Sequence, residues 1–140
     1  MKLKTSYLGL ELKSPIIVSS STLTGNVESI KHCAEAGAGA VVLKSIFEEQ
    51  ILSDIKKEEG YTDIYNSYFE AQEYLTTFMR GNEIDIYVKL IQESKKVVDI
   101  PIIASVNCTS KGEWISIAKE LQVAGADALE LNIAIAAFDR

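Results

Sequence analysis

The chain has 140 residues, the length of a single domain, and a formal net charge of −6. Its 47% hydrophobic and 24% charged residues exclude a disordered or low-complexity protein. No apolar run reaches the roughly 18 residues that a membrane span needs, and the acidic balance argues against nucleic acid or an anionic membrane as a partner. Two cysteines and one histidine provide neither a disulfide framework nor a His-rich metal site. We therefore expect a cytoplasmic protein without a bound metal.

Two segments of the sequence are close copies of each other. Residues 15–20 (PIIVSS) match residues 101–106 (PIIASV), and residues 36–44 (AGAGAVVLK) match residues 124–132 (AGADALELN). An apolar run that starts at proline suits a buried strand, and a glycine suits the end of a helix. Each copy is therefore predicted to form a strand, a helix and a second strand.

In chain order, the pattern predicts a short hairpin, strands that alternate with helices, and one insertion. The hairpin covers residues 7–12, the strands cover 15–20, 40–45, 101–106 and 128–133, the insertion covers about 51–82, and the helix after it covers about 83–98. Such alternation indicates a parallel sheet with helices outside. It fits an open doubly wound sheet or half of an eight-stranded barrel, and polar residues at the strand ends favour the barrel.

We therefore predict an α/β fold in which residues 1–140 form the N-terminal half of a (β/α)8 TIM barrel, as a piece of a longer protein. A full barrel takes about 250 residues, so only four strands would be present. The first and last strands would then expose unpaired edges, which favour poor solubility or self-association. A homo-oligomer with a small-molecule substrate is the expectation that follows.

Lys44 and Asn132 occupy equivalent positions in the two copies, at the carboxyl ends of their predicted strands. Because side chains alternate along a strand, Lys44 would share a face with Ala40 and Val42, and Asn132 would share one with Glu130. Barrel interiors are filled in layers drawn from alternate strands, so Lys44 and Asn132 are predicted to lie in one layer near the catalytic rim. The ammonium there would either contact a ligand or pair with Glu130 and only seal the barrel.

Polar groups follow two other predicted strands as well. Their hydroxyls and amides would lie where a ligand approaches, although such residues are also common helix caps. Cys108 is a candidate nucleophile, but a small buried thiol is the commoner case. Aromatic residues concentrated between positions 61 and 78 indicate core packing or a subunit interface more than a cofactor stack. The polar candidates are Ser19, Ser20, Ser21 and Asn107.

Four segments of the sequence occur in an order that is typical of one enzyme family. They are residues 7–17 (YLGLELKSPII), 39–45 (GAVVLKS), 103–108 (IASVNC) and 126–132 (ADALELN). Together they resemble the dihydroorotate dehydrogenases, which are FMN-dependent (β/α)8 barrels. The third segment, followed by Trp114 and by the turn AGADA at residues 124–128, is similar to the flavin barrel of dihydropyrimidine dehydrogenase. The resemblance covers nearly the whole chain apart from roughly residues 51–82.

This resemblance implies a flavoprotein oxidoreductase of pyrimidine metabolism that acts on a CH–CH group. Hydride would pass between a dihydropyrimidine-type substrate and FMN. The resemblance places Lys44 near the N1/O2 edge of the flavin, where a fixed ammonium stabilises the negative charge of reduction, and lets Asn132 contact flavin and substrate. The cofactor-binding candidates are Ser19, Ser20, Ser21, Lys44, Ser45, Asn107 and Asn132.

The sequence departs from the family at the position of its catalytic base. Dihydroorotate dehydrogenases commonly read Asn-Leu-Ser-Cys-Pro-Asn there, with the cysteine as base, whereas residues 132–137 read NIAIAA and place Ile135 at that position. An aliphatic side chain cannot take a proton, and the phosphate-binding loops of the later strands are not among these residues. We therefore expect weak or absent FMN binding by the 140-residue chain, and we expect it to be inactive alone. Two alternatives stay open: an inactive flavin- or metabolite-binding paralogue, and an aldolase-like barrel in which Lys44 forms a Schiff base.

Overall fold

The computed structural model describes residues 3–47, 69–107 and 113–133, and within these it describes only the backbone of residues 47, 69–80 and 113. The elements in chain order are β1 (Thr5–Tyr7), β2 (Leu10–Leu12), β3 (Ile17–Val18), a 3-10 turn (Thr22–Thr24), α1 (Val27–Glu35), β4 (Ala40–Val42), β5 (Ile46–Phe47), α2 (Phe69–Val97), β6 (Ile102–Asn107), α3 (Glu113–Ala124) and β7 (Ala128–Leu131). None of the described helices combines the length with the apolar character that a membrane crossing requires.

Five strands form one parallel sheet. β3 pairs with β4, β4 and β5 both pair with β6, and β7 pairs with the opposite edge of β6. Strand positions therefore follow chain order across the sheet, as they do in the first four strands of a (β/α)8 barrel. This confirms the predicted α/β fold. The separate antiparallel hairpin of β1 and β2 also agrees with the prediction.

Apolar side chains cover both faces of the sheet, as expected for parallel strands. The outer face packs against the three helices, and the inner face packs against the hairpin through Leu12, which is 2% exposed. The hairpin thus closes the inner face at the amino ends of the strands. The outer layer is formed by Val41, Leu43, Ile102, Ala104 and Val106 with Ile30, Ile91 and Leu121 of the helices, and the inner layer by Ala40, Val42 and Ile103 with Leu12.

The two copies end their helices with the same turn. Gly37 has a φ of +97° and Gly125 a φ of +101°, a backbone conformation that favours glycine. In both copies the N–H of the residue after this glycine donates to the carbonyl five residues earlier, at 3.1 Å. This is the Schellman pattern, and it satisfies carbonyls that would otherwise be left free at the helix end. The predicted repeat is confirmed at these turns.

The strands β3 and β7 are shorter than predicted, and two other elements differ more strongly from the prediction. α2 begins at Phe69 rather than near residue 83, because residues 69–80 are rich in strong helix formers such as Glu, Gln, Ala and Leu. The predicted insertion is therefore partly helical, and its residues 51–68 lie outside the described part of the chain. The predicted strand 40–45 stops at Val42 and resumes as β5 at Ile46.

An apolar groove of about 520 Å³ runs along the outer side of β7. Its walls come from α3 and β7, and the exposed side chains of Ile115 and Leu131 belong to it. Within the described residues, β7 has a strand partner on one side only. The groove and the open edge therefore lie together, on the side of the sheet away from β3.

Candidate functional site

The strand formed by β4 and β5 contains a β-bulge. Val42 lies opposite Ile103 on β6, whereas Ile46 lies opposite Val106. Three residues on one strand therefore face two on the other, which is the arrangement of a bulge. A bulge changes which face the following side chains occupy, because the side-chain period along a strand is two.

This bulge brings Ser45 to the inner face. After the register shift, Ser45 falls opposite Ser105, and it is 9% exposed. Its N–H does not take part in the hydrogen bonds between the strands and instead donates to the Ser20 hydroxyl at 2.9 Å. This hydrogen bond connects the segment after β3 to the strand formed by β4 and β5, at the carboxyl end of the sheet. That end is where barrel enzymes hold their ligands.

Lys44 lies in the bulge, on the exposed rim beside this layer. Its backbone N–H donates to Thr24 O at 3.3 Å. Its aliphatic chain passes over Gly25, where an added Cβ would lie 3.6 Å from the Lys44 Cδ. Lys44 therefore lies at the carboxyl edge of the sheet, as predicted for a rim residue, and in the described part of the chain it is Ser45 that contacts the Asn132 side chain.

Tyr87 of α2 fills the gap that the bulge leaves in the ladder. Its hydroxyl accepts a hydrogen bond from the Ser105 N–H at 2.9 Å and donates to the Ser105 carbonyl at 3.2 Å. Both backbone groups of Ser105 are buried and need partners. Burial raises the pKa of Tyr87 well above its ordinary value, the backbone hydrogen bond opposes this rise, and the charge of Glu130 adds to it. The hydroxyl therefore keeps its proton and serves as donor and acceptor at once.

Asn132 connects three strand positions. Its backbone N–H donates to Val106 O at 2.9 Å, which continues the pairing of β7 with β6. Its side-chain Nδ2 donates to Ser45 Oγ at 3.2 Å and to Ser105 Oγ at 3.0 Å. The Ser105 hydroxyl in turn donates to Glu130 Oε1 at 2.6 Å. We call these four side chains, Ser45, Ser105, Glu130 and Asn132, the rim network.

Three of the predicted site residues meet around this network. Ser45 and Asn132 belong to it, and Ser20 accepts the hydrogen bond from the Ser45 backbone. Ser21 has a local role instead, since its N–H donates to Thr24 Oγ1 at 3.1 Å within the turn that follows β3. The sequence thus predicted the strand ends that meet here and two of the four side chains of the rim network, Ser45 and Asn132.

The other predicted site residues do not belong to the rim network. Ser19 is exposed and Asn107 is half-buried, and each follows its strand toward the carboxyl edge of the sheet. Cys108 and Ile135 lie outside the described residues, so the position of the family's base has no structural description.

Sequence reasoning missed Ser105 and gave Glu130 only a sealing role. A usable signal was present, because Ser105 interrupts an apolar run and a polar side chain in a buried strand needs a partner. That partner is Glu130, which lies directly opposite it in the sheet. The alternative of a Lys44–Glu130 ion pair does not hold in the described part of the chain, where no such contact occurs within 4.0 Å.

The chain is similar to several proteins named as dihydroorotate dehydrogenases. It is 33% identical over 142 residues to the catalytic subunit of dihydroorotate dehydrogenase B (NAD(+)) of Methanocella arvoryzae, a match that covers 95% of this chain and 41% of that protein. The same subunits of Methanocaldococcus jannaschii and Thermoplasma volcanium are 27% and 29% identical, each over 94% of this chain and 41% of theirs. The chain thus spans about two fifths of the length of these relatives. No protein-family model matches it.

A solved structure supports the fold independently. An IMP dehydrogenase/GMP reductase-like protein of Corynebacterium glutamicum matches with a TM-score of 0.53 and 12% identity, over 99% of this chain and 37% of that one. At this identity the match concerns the fold alone. It agrees with a parallel sheet that forms part of a TIM-like barrel.

Proposed function

We propose that this chain, which resembles the dihydroorotate dehydrogenases along nearly its whole length, forms half of an FMN-dependent barrel that transfers hydride between a dihydropyrimidine-type substrate and the flavin. Its homologues are dihydroorotate dehydrogenases, which supports an oxidoreductase of this family. The observation that carries the proposal is the rim network, which gathers polar groups from three strand positions at the carboxyl end of the sheet.

The polar groups at this edge fit the edge of a flavin ring. An isoalloxazine offers carbonyl oxygens, a ring N–H and unprotonated ring nitrogens, and hydroxyl, carboxamide and ammonium groups are suitable partners for them. Ser20, Ser45 and Asn132 supply the first two kinds of group, and Lys44 supplies the third. When bound, FMN would accept hydride, and a cation beside it would stabilise the charge that reduction brings.

The protein's own part in this chemistry is to orient the ligand and to limit water. Ala40, Val42 and Ile103 form an apolar layer beneath the rim network, and Leu12 of the hairpin packs against them. A ligand therefore approaches from the carboxyl ends of the strands. There the buried network holds its polar groups in place by hydrogen bonds to neighbouring strands rather than to mobile loops.

The names of the relatives support two further parts of the proposal. They are catalytic subunits of NAD(+)-linked enzymes, which favours NAD(+) as the final electron acceptor and another subunit as a partner. Self-association of the chain and a cytoplasmic location remain proposals from composition and from the open edge beside β7.

One observation favours a second candidate function. Ile135 occupies the position at which the family commonly has its cysteine base. A barrel with an aliphatic residue there could hold a flavin or another metabolite without oxidising a dihydropyrimidine, because no group at that position takes up the partner proton.

Titration with FMN tests the binding part of the proposal. We expect Lys44→Met to weaken FMN binding about tenfold, because a hydrogen bond to a charged group is worth roughly 1.5–3 kcal/mol before solvent exchange at an exposed site reduces it. Lys119→Met is the matched control, since Lys119 is also exposed but lies beside the outer groove. Failure of the protein that contains this half-barrel to take up any FMN would contradict the proposal.

Anaerobic reduction separates the two candidate functions. Dihydroorotate should bleach the absorbance of the bound flavin if the protein is an oxidoreductase of this kind. Flavin that stays oxidised in the presence of dihydroorotate and of dihydropyrimidines would support the inactive, binding candidate instead. Both outcomes are read on the same sample, with chemical reduction by dithionite as the positive control.

A further inference from the structure

The hydrogen bonds of the rim network have a fixed direction. An ionised carboxylate can only accept, so the Ser105 hydroxyl donates its one proton to Glu130 Oε1, at 2.6 Å. The Ser105 oxygen then has only lone pairs left. The neighbouring carboxamide of Asn132 has to turn its Nδ2 toward that oxygen, and it does so at 3.0 Å.

The second N–H of the same amide is also used. Nδ2 donates to Ser45 Oγ at 3.2 Å, and the backbone of Asn132 is held by its bond to Val106 O at 2.9 Å. Within the described residues, no donor reaches Asn132 Oδ1. With both N–H groups engaged and the backbone fixed, the carbonyl oxygen is the group that this amide presents to a ligand.

We infer that Glu130 is a positioning residue: through Ser105 it fixes the carboxamide of Asn132 so that the site offers a hydrogen-bond acceptor and selects an N–H group of the ligand. The inference rests on the proposed function only in assuming that Asn132 faces that ligand. The orientation itself follows from the contacts of Glu130, Ser105 and Ser45.

The burial of the network supports this role over a purely stabilising one. Ser105 is fully buried and Glu130 is half-buried. A carboxylate on the inner face of a sheet loses much of its hydration, and an apolar side chain would fill the same space at lower cost. A group that can only accept is, however, what the orientation of Asn132 requires.

A glutamine at position 130 would remove the directional constraint with almost no change of shape. Its amide can donate to Ser105 Oγ, which frees the Ser105 hydroxyl to donate to Asn132 Oδ1. The carboxamide of Asn132 would then occupy both orientations. The site would lose its preference for a ligand donor over a ligand acceptor.

Hydrogen exchange of the Asn132 side-chain amide, followed by NMR in the full chain with nitrogen-isotope labelling, tests the inference. The signals are assigned by their loss in Asn132→Asp. We expect slow exchange in the wild type and exchange about fivefold faster in Glu130→Gln and in Ser105→Ala, since one hydrogen bond contributes roughly 1 kcal/mol. Glu130→Asp keeps an acceptor-only group and should restore part of the protection.

The matched control is a second serine–glutamate pair on the exposed face of α3. Ser116 Oγ donates to Glu120 Oε1 at 3.3 Å, so Glu120→Gln makes the same chemical change away from the network. It should leave the Asn132 signals unchanged. Backbone amides of β6 report whether each variant keeps its fold, and Ser105→Ala provides the second break should Glu130→Gln disturb the sheet.

Unchanged Asn132 exchange in both Glu130→Gln and Ser105→Ala would overturn the inference. FMN titration of the protein that contains this half-barrel gives the separate test of the site. No FMN uptake there, together with faster exchange in the variants, would contradict the proposed function and leave the positioning role of Glu130 intact. Unchanged exchange together with normal FMN binding would contradict the positioning role of Glu130 and leave the proposed function intact.

Discussion

The two strand–helix–strand copies agree at one end and differ at the other. At the amino ends of their second strands, both use a glycine with positive φ and the same pair of backbone hydrogen bonds. At the carboxyl ends, the first copy has a bulge and the second continues regularly into Asn132. The repeat therefore preserves the part that joins helix to strand, while the part that faces a ligand differs. Barrel folds separate stability and chemistry in the same way.

A smaller difference follows the shared turn. The first copy has Gly39, where a Cβ would collide with the backbone of Ser14. The second copy has Asp127, whose carboxylate accepts the Ile102 N–H at 2.7 Å and pairs with Lys95 at 2.8 Å. The chain that leaves the hairpin thus occupies, in the first copy, the space that a side chain uses in the second.

Replacing Gly39 tests this difference and has the largest expected effect. Gly39→Ala should lower the free energy of unfolding by about 3 kcal/mol, because backbone atoms of Ser14 cannot move aside as a flexible side chain would. Urea unfolding measures the change. Gly81→Ala is the control, since Gly81 lies in α2 with open space around it and alanine should stabilise the helix by about 1 kcal/mol. Equal stability of Gly39→Ala and the wild type would mean that the two copies do not differ here.

Removing the Tyr87 hydroxyl tests the difference at the carboxyl ends. Tyr87→Phe leaves the N–H and the carbonyl of Ser105 without their partner, so the free energy of unfolding should fall by about 2 kcal/mol at neutral pH. Urea unfolding again gives the value. Tyr7→Phe is the matched control, because Tyr7 is 48% exposed and its hydroxyl has no such role.

The same variant has a pH signature. The pKa of Tyr87 is raised in the folded protein above its ordinary value of 10.0, because burial disfavours the charged phenolate. The stability that this provides is fully present below pH 10.0 and is lost as the pH rises beyond it toward the folded value. Wild-type stability should therefore fall more steeply above that pH than the stability of Tyr87→Phe. Parallel curves for the two proteins would argue against a buried, protonated hydroxyl in the bulge.

The bulge also shows where sequence reasoning succeeds and where it stops. The glycine turns and the apolar strands follow from local pattern, and the structure agrees with both. The register shift between Val42 and Ile46 leaves no such local trace, since residues 40–45 have the composition of an uninterrupted strand. At this shift the backbone groups of Ser105 are satisfied by a hydroxyl from a distant helix, that of Tyr87, which nothing in residues 40–45 indicates. For this reason the sequence predicted the correct edge of the sheet but not the contact between Ser45 and Asn132.

The ion pair between Lys13 and Asp99 joins equivalent positions of the two copies, each two residues before the proline that opens its copy. Its atoms are 3.2 Å apart, and the hydrogen bond and charge of Lys13 lower the pKa of Asp99. A lowered pKa stabilises the folded protein above the ordinary aspartate value, and this contribution is lost as the pH falls through the folded value, below about pH 4. Both side chains are exposed, so the effect on stability should be the smallest of the set and should shrink in high salt.

Urea unfolding of Lys13→Met and of the wild type at neutral and acidic pH measures this effect. The control is Lys31→Met, which removes another exposed lysine from a pair with Glu35. If Lys13→Met shows the same acid dependence as the wild type, the contact is only a proximity of two exposed side chains and does not stabilise the folded protein.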